Sequence, residues 1–256
     1  MKLLLTNDDG WNADGIQILF GRLKACGHDV AICAPDRNRS AASSRIVVER
    51  PMTVKPEAPG VFSCSGYPSD CVIVALRGTF LPFVPDAVIS GINRGANLGT
   101  DIIYSGTAAA ARQAVLYGVP GVAVSLDSHD PGAPFDALAD FTATNVERLV
   151  ALSLPGGGER GSALREGIFV NVNAQARDAY TAAVCTDELS FREYRDSVDI
   201  VRQGDVFEVF CRGGETVSHG SADNDAAISA RGEVAITRVY ARPLTAEKVD
   251  VSAFSV

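Results

Sequence analysis

Four short stretches of the chain carry the side chains best suited to chemistry. Asn7-Asp8-Asp9-Gly10 follows the first apolar run, Leu3-Leu4-Leu5, and Pro35-Asp36-Arg37-Asn38-Arg39-Ser40 follows the second. Asn93 and Asn97 lie in a glycine-punctuated segment from Gly91 to Gly99, and Ser105-Gly106-Thr107 comes shortly after. Two adjacent carboxylates withdrawn from water repel each other and need a compensating cation. Asp8 and Asp9, with the Ser40 hydroxyl and the Asn93 amide oxygen, form an all-oxygen donor set of the kind that holds Mg²⁺, Mn²⁺ or Ca²⁺. An Asp-Gly pair also makes ordinary turns. What favours a site is its place directly after the first apolar run.

Ser105-Gly106-Thr107 opens an alanine-rich helix. A helix start offers unpaired N–H groups and a positive dipole end, so Asn97, Ser105, Gly106 and Thr107 are candidate contacts to a phosphate. The alternative is a plain N-cap at Ser105 with glycines serving a winding loop. Neither GxGxxG nor a P-loop lysine is present, which excludes those two nucleotide-binding devices. Arg37, Arg39 and Arg45 are either a solvated basic loop or, through Arg39, a contact to phosphate or leaving group. Trp11 either stacks on a base or covers the core.

These residues must be positioned by regular elements. Lys2 to Thr6 reads as a buried strand, followed by a helix with Ile16, Leu19, Phe20 and Leu23 on one face and a second strand from Asp29 to Ala34. That is a βαβ unit of a parallel sheet. Short strands are expected near Ile46–Glu49, Met52–Val54 and Val61–Cys64, and a helix capped by Ser69 reaches to about Phe80. Asp86–Ser90 is a strand, Gly91–Ser105 a loop, and Thr107–Tyr117 a helix. Gly121–Ser125 is a strand and Phe135–Leu152 a helix. Strands follow near residues 168–172, 180–185, 206–211 and 234–239. The expectation is an α/β fold, a doubly wound, mostly parallel, Rossmann-like sheet over residues 1–154. A Gly-rich linker at 155–162 and a β-rich part over 163–256, with a hairpin extension, complete it. In such sheets ligands lie beyond the carboxyl ends of the strands, so the loops bearing Asp8, Ser40 and Asn93 meet on one rim.

Composition narrows the function. Of 256 residues, 23 are Lys or Arg and 31 Asp or Glu, a formal charge of −8, which argues against a duplex nucleic-acid binder. The apolar start is too short for a signal-peptide core, and no apolar run approaches the roughly 18 residues of a membrane span. A cytoplasmic setting is expected. The six cysteines form no CxxC and read as ordinary buried thiols. Only three histidines, His28, His129 and His219, are present and far apart, which disfavours zinc and His-dependent triads. His219, Asp223 and Asp225 either approach the site from the C-terminal half or are surface polar groups, the surface reading being favoured.

The stretches LLLTNDDGWNADGIQIL, APDRNRSAASSR, PSDCV, DAVISGINRGANLGTDIIYSGTAAAAR and GVPGVAVSLD resemble the SurE (survival protein E) family of metal-dependent nucleotidases, in its order and spacing. The resemblance implies a phosphomonoesterase acting on nucleoside 5′- and 3′-monophosphates. It implies a divalent cation on Asp8, Asp9, Ser40 and Asn93; in metal-assisted hydrolysis Asp8 or Asp9, Asp8 preferred, is the catalytic group that orients or deprotonates the attacking water. It also implies a homodimer or homotetramer built through a protruding hairpin and an exchanged C-terminal segment. The pattern departs where Ser40-Ala41 replaces Ser-Gly, at Arg112-Gln113, and through most of the C-terminal half. Those departures leave open a phosphatase for a modified nucleotide or other specialised phosphate ester, or a nucleotide sensor without turnover. An aspartyl-phosphate enzyme of the haloacid-dehalogenase type would have its two aspartates separated by one residue, whereas here they are adjacent.

Overall fold

A computed structural model describes residues 1–154 and 167–243; the Gly-rich stretch expected as a linker lies outside the described residues. One nine-stranded sheet organises the chain. Its parallel block begins with β1 (Lys2–Thr6), whose three leucines are fully buried because both faces are covered. The chain crosses through α1 (Asp14–Ala25) to β2 (Asp29–Pro35), which pairs with β1. The edge hairpin β3 (Val54–Ala58) and β4 (Val61–Cys64) adds β4 beside β2. Then α2 (Pro68–Arg77) carries the chain to the other side of β1, where β5 (Ala87–Arg94) pairs with it. Helix α3 (Gly106–Leu116) leads to β6 (Gly121–Asp127), and α4 (Asp136–Leu152) precedes β7 (Ile168–Gln175), each strand parallel to the one before it in the sheet.

The order β4-β2-β1-β5-β6-β7 reverses direction between β1 and β5. Strand ends diverge at such a switch point and leave a crevice above it. Helices α1 and α4 seal one face with Ile16, Leu19, Leu23, Leu138 and Val146. Helices α2 and α3 seal the other with Cys71, Val72, Ala75, Ala110 and Ala114. The last part of the chain extends the sheet: β13 (Val234–Tyr240) runs antiparallel to β7, and β8 (Ala183–Thr186) flanks it. Two ribbons stand apart from the sheet, β9 (Phe191–Tyr194) with β12 (Thr216–His219) and β10 (Ser197–Gln203) with β11 (Val206–Arg212). A short helix, α5 (Asp225–Ala230), precedes β13. Among the described residues no helix is long and apolar enough to cross a membrane.

Several local expectations are corrected. Residues 46–49 form no strand; instead the Val47 N–H donates to the buried Asp70 carboxylate, 3.0 Å away. Helix α2 starts one residue before Ser69, on Pro68, with Asp70 also accepting from the Tyr67 N–H. β5 continues to Arg94, past the expected end at Ser90, through a bulge against β6. Gly91 makes this possible: its φ is +139°, and a Cβ there would lie 2.3 Å from the Val124 carbonyl oxygen. Only Cys33, Cys64 and Cys71 are buried, while Cys26, Cys185 and Cys211 are exposed. Asp225 is not a surface group but 1% exposed; His219 and Asp223 are exposed.

Candidate active site

Above the switch point lies a cleft of about 490 Å³ whose lining includes Asp8, Ser40, Asn93, Asn97 and Ser105. Backbone bonds bring the loops together. The Arg39 N–H donates to the Asp8 carbonyl at 2.6 Å, tying the loop after β2 to the loop after β1. The Arg94 N–H donates to Asp9 Oδ2 at 3.2 Å, tying in β5, and Asn38 Nδ2 lies 3.4 Å from Asp9 Oδ1. Asn7 closes the turn itself, its side chain bonding both the N–H and the carbonyl of Gly10.

Asp8 is 4% exposed, yet it faces the cleft. The Thr107 hydroxyl donates to its Oδ1 at 2.5 Å, and the backbone N–H groups of Gly106 and Thr107 favour its charged form. Burial outweighs these bonds and holds its carboxyl above the usual carboxylate range. Asp9 is half-buried behind it; burial, then the Asp8 charge, pushes its carboxyl up to about 6. Neither carboxylate is ion-paired with a Lys or Arg among the described residues.

The remaining donors are set by their own bonds. Ser40 donates its hydroxyl proton to Asn38 Oδ1 at 2.7 Å, which leaves its lone pairs for a ligand. Asn93 Nδ2 donates to the Gly95 carbonyl at 2.8 Å, which leaves Oδ1. Ser105 is the N-cap of α3, its Oγ accepting from the Ala108 N–H at 2.9 Å, and its hydroxyl proton is still available as a donor. Asn97 gives one Nδ2 hydrogen to Ser125 Oγ at 2.7 Å and keeps the second. Its backbone hangs from β7: its N–H donates to Asn173 Oδ1, and its carbonyl accepts from Asn171 and Asn173. Gly99 is fixed the same way by Asp225 Oδ2 at 2.7 Å.

Two sequence expectations fall elsewhere. Thr107 is fully buried and bonds Asp8, so its hydroxyl is a positioning group for that carboxylate rather than a phosphate contact. Arg39 turns away from the cleft: its Nη2 bonds the Ser65 carbonyl at 2.9 Å and Asp36 at 3.2 Å. Gly106 presses against Asp8, and Trp11 packs against the core beside α1.

The cleft also contains residues that sequence reasoning missed: Asp127, His129, Asp101, Tyr104, Arg192 and Tyr194. Asp127 ends β6, so the rule about carboxyl ends of strands, applied to one more strand, finds it and the neighbouring His129. Arg192 and Tyr194 come from the β9–β12 ribbon, a segment with no local signal.

Ala41, beside Ser40, sits at φ 57°. A Cβ in the left-handed region costs roughly 1–2 kcal/mol, and the entropy glycine loses on folding offsets about half of that. Ala41→Gly should therefore stabilise the protein by about 0.5–1 kcal/mol in a denaturant titration. A loss of stability would show that the loop is not strained.

A model for the family described as Survival protein SurE matches residues 3–195. A 5′-nucleotidase SurE from Treponema pallidum (strain Nichols) is 50% identical over 188 residues, which is 72% of this chain and 95% of that protein. A 5′-nucleotidase SurE from Synechococcus elongatus is 45% identical over 161 residues, 60% of this chain and 62% of that protein, so less than two thirds of its length is spanned. The crystal structure of the SurE protein from Aquifex aeolicus matches with a TM-score of 0.78 and 26% identity over 94% of both chains.

Proposed function

The chain belongs to the SurE family, and from that premise we propose that its cleft hydrolyses the phosphomonoester bond of nucleoside 5′-monophosphates, and of 3′-monophosphates, to nucleoside and phosphate. The observation that carries the proposal is the pair Asp8–Asp9, both withdrawn from water and both pushed upward, with no ion pair to either among the described residues and only the charge of Arg94 acting on Asp9 from a distance. Such a pair is a cation site. With Ser40 and Asn93 it offers only oxygen donors, which suit Mg²⁺ or Mn²⁺ better than zinc. Asp8, Asp9, Ser40 and Asn93 are therefore the residues proposed to hold the ion.

When bound, a divalent cation lowers the pKa of a coordinated water and neutralises charge building on the phosphoryl group. The chain's own groups do the rest. Asp8 orients the attacking water and takes its proton; Thr107 fixes Oδ1, so the carboxylate cannot rotate off that water. Ser105 and Asn97 present the hydroxyl and amide hydrogens described above toward the non-bridging oxygens. Both donors are anchored before substrate arrives, so little reorganisation is needed as charge develops. Water is the nucleophile, and no covalent intermediate on the protein is required.

Self-association belongs to the same proposal. The ribbon β10–β11 exposes Ile200, Val206, Phe207 and Phe210, each at least half exposed, an apolar surface that a lone ribbon does not bury.

The decisive experiment is phosphate release from a panel of 5′- and 3′-nucleoside monophosphates with Mg²⁺ or Mn²⁺, alongside a solution mass measurement. Turnover should vanish on chelation and return with added ion. Full activity after stringent chelation would overturn the metal-assisted reading, and tight nucleotide binding without phosphate release would make the protein a sensor.

A further inference from the structure

Beyond the floor of the cleft stands a cluster that the hydrolytic chemistry does not use. Tyr104 and Tyr194 meet edge to face, with ring centroids 6.1 Å apart and planes at 81°. Both line the cleft, and Tyr104 is 57% exposed, so its ring contributes little to the core. Their support is rigid. The Tyr194 hydroxyl donates to Asp101 Oδ1, and Arg192 Nε lies 3.2 Å from Asp101 Oδ2 in a largely buried ion pair. Arg192 Nη1 reaches Ser218 Oγ at 2.8 Å, and the Arg192 N–H bonds Thr100 Oγ1 at 3.1 Å. An exposed ring backed by a fixed aromatic neighbour offers a face to a planar partner.

Its location fits the nucleoside end of the substrate. Tyr104 directly precedes Ser105, whose hydroxyl faces the phosphate position, and the Tyr104 carbonyl accepts from the Ser43 N–H at 3.0 Å in the loop that carries Ser40. A ligand with its phosphate on the floor and a flat ring one sugar away would meet this wall. Trp11, the other candidate for stacking, is engaged with the core and does not line the cleft.

We propose that Tyr104, braced by Tyr194, is the platform on which the nucleobase stacks, making it a specificity-determining residue. The inference rests on the nucleotidase reading above and goes beyond it by naming where the base is bound.

Steady-state kinetics of Tyr104→Ala and Tyr104→Phe, with AMP and with ribose 5-phosphate, test it. Stacking on an aromatic side chain accounts for roughly a tenfold change in affinity, so Tyr104→Ala should raise KM for AMP about tenfold with kcat little altered, while ribose 5-phosphate, which lacks the base, changes by less than about twofold. Tyr104→Phe keeps the ring and should restore the KM for AMP. Equal losses on both substrates, or no change on either, would overturn the platform while leaving hydrolysis intact. Wild-type protein that released phosphate from neither compound would overturn the nucleotidase reading as well.

Discussion

Asp8→Asn should lower kcat/KM for a nucleoside monophosphate by about 10³-fold or more, in line with the loss of a group that both holds a catalytic cation and orients the nucleophile. Asparagine has nearly the same shape and can still accept from the Thr107 hydroxyl, so the loss is one of charge rather than of packing. The same substitution should leave the metal-free protein at least as stable as wild type. A carboxylate whose folded pKa lies above its unfolded value costs stability once the pH exceeds the unfolded value. Burial places Asp8 in that position, so its ionisation is a burden on the empty fold at neutral pH. The advantage of the variant should shrink as the solution is acidified and Asp8 becomes neutral in both states. Thermal melts in chelator at neutral and acidic pH, beside kinetics with Mn²⁺, check both parts. A variant that kept a tenth of the wild-type rate would remove Asp8 from the mechanism.

Gly106→Ala is the second large effect. A Cβ on residue 106 would lie 2.9 Å from both Cβ and Oδ2 of Asp8, closer than real side chains come. Gly106 is the first residue of α3, where alanine is a better helix former than glycine by about 1 kcal/mol, so the helix itself gains. What must give way is the carboxylate. Displacing a reacting group by about 1 Å costs on the order of 10²-fold in rate, and that is the expected loss in kcat/KM. Manganese affinity, read by calorimetry, should fall alongside, while circular dichroism stays unchanged. Activity within about threefold of wild type would show that Asp8 has more room than the geometry allows.

The convergence of the residues proposed to hold a cation is legible in the amino-acid sequence for a physical reason. Asp8-Asp9, Ser40 and Asn93 each sit at or just beyond the carboxyl end of a buried strand, and buried strands announce themselves as continuous apolar runs. Strand polarity then puts their ends on one side of the sheet. A threonine in a helix start suits two partners, an external phosphate or an internal carboxylate, and only the approach of β1 to α3 gives the Thr107 hydroxyl to Asp8. The alternatives left open for Arg39 are decided in a similar way. Its guanidinium satisfies Asp36 and the Ser65 carbonyl, and the path of the β3–β4 edge that places Ser65 there is not written locally. Of the β10–β11 ribbon, Val206–Arg212 matches the strand expected near 206–211, whereas Ser197–Gln203, exposed along its whole length, carries no alternation of burial that would announce it. Arg192 and Tyr194 lie on the partly buried β9, where only the assembled cleft gives them meaning.

Asp225 joins two parts of the chain that sequence distance keeps apart. One of its oxygens accepts the Gly99 N–H and the other accepts the Ser190 N–H, both in the interior. The glycine belongs to the strip of backbone between Asn97 and Tyr104, and the serine opens the run that ends at Tyr194. A single carboxylate near the far end of the polypeptide therefore ties together the two backbone segments that carry the proposed phosphate contacts and the proposed recognition wall. Substitutions confined to the far end of the chain can for that reason alter the breadth of the cleft without touching Asp8, Asp9, Ser40 or Asn93.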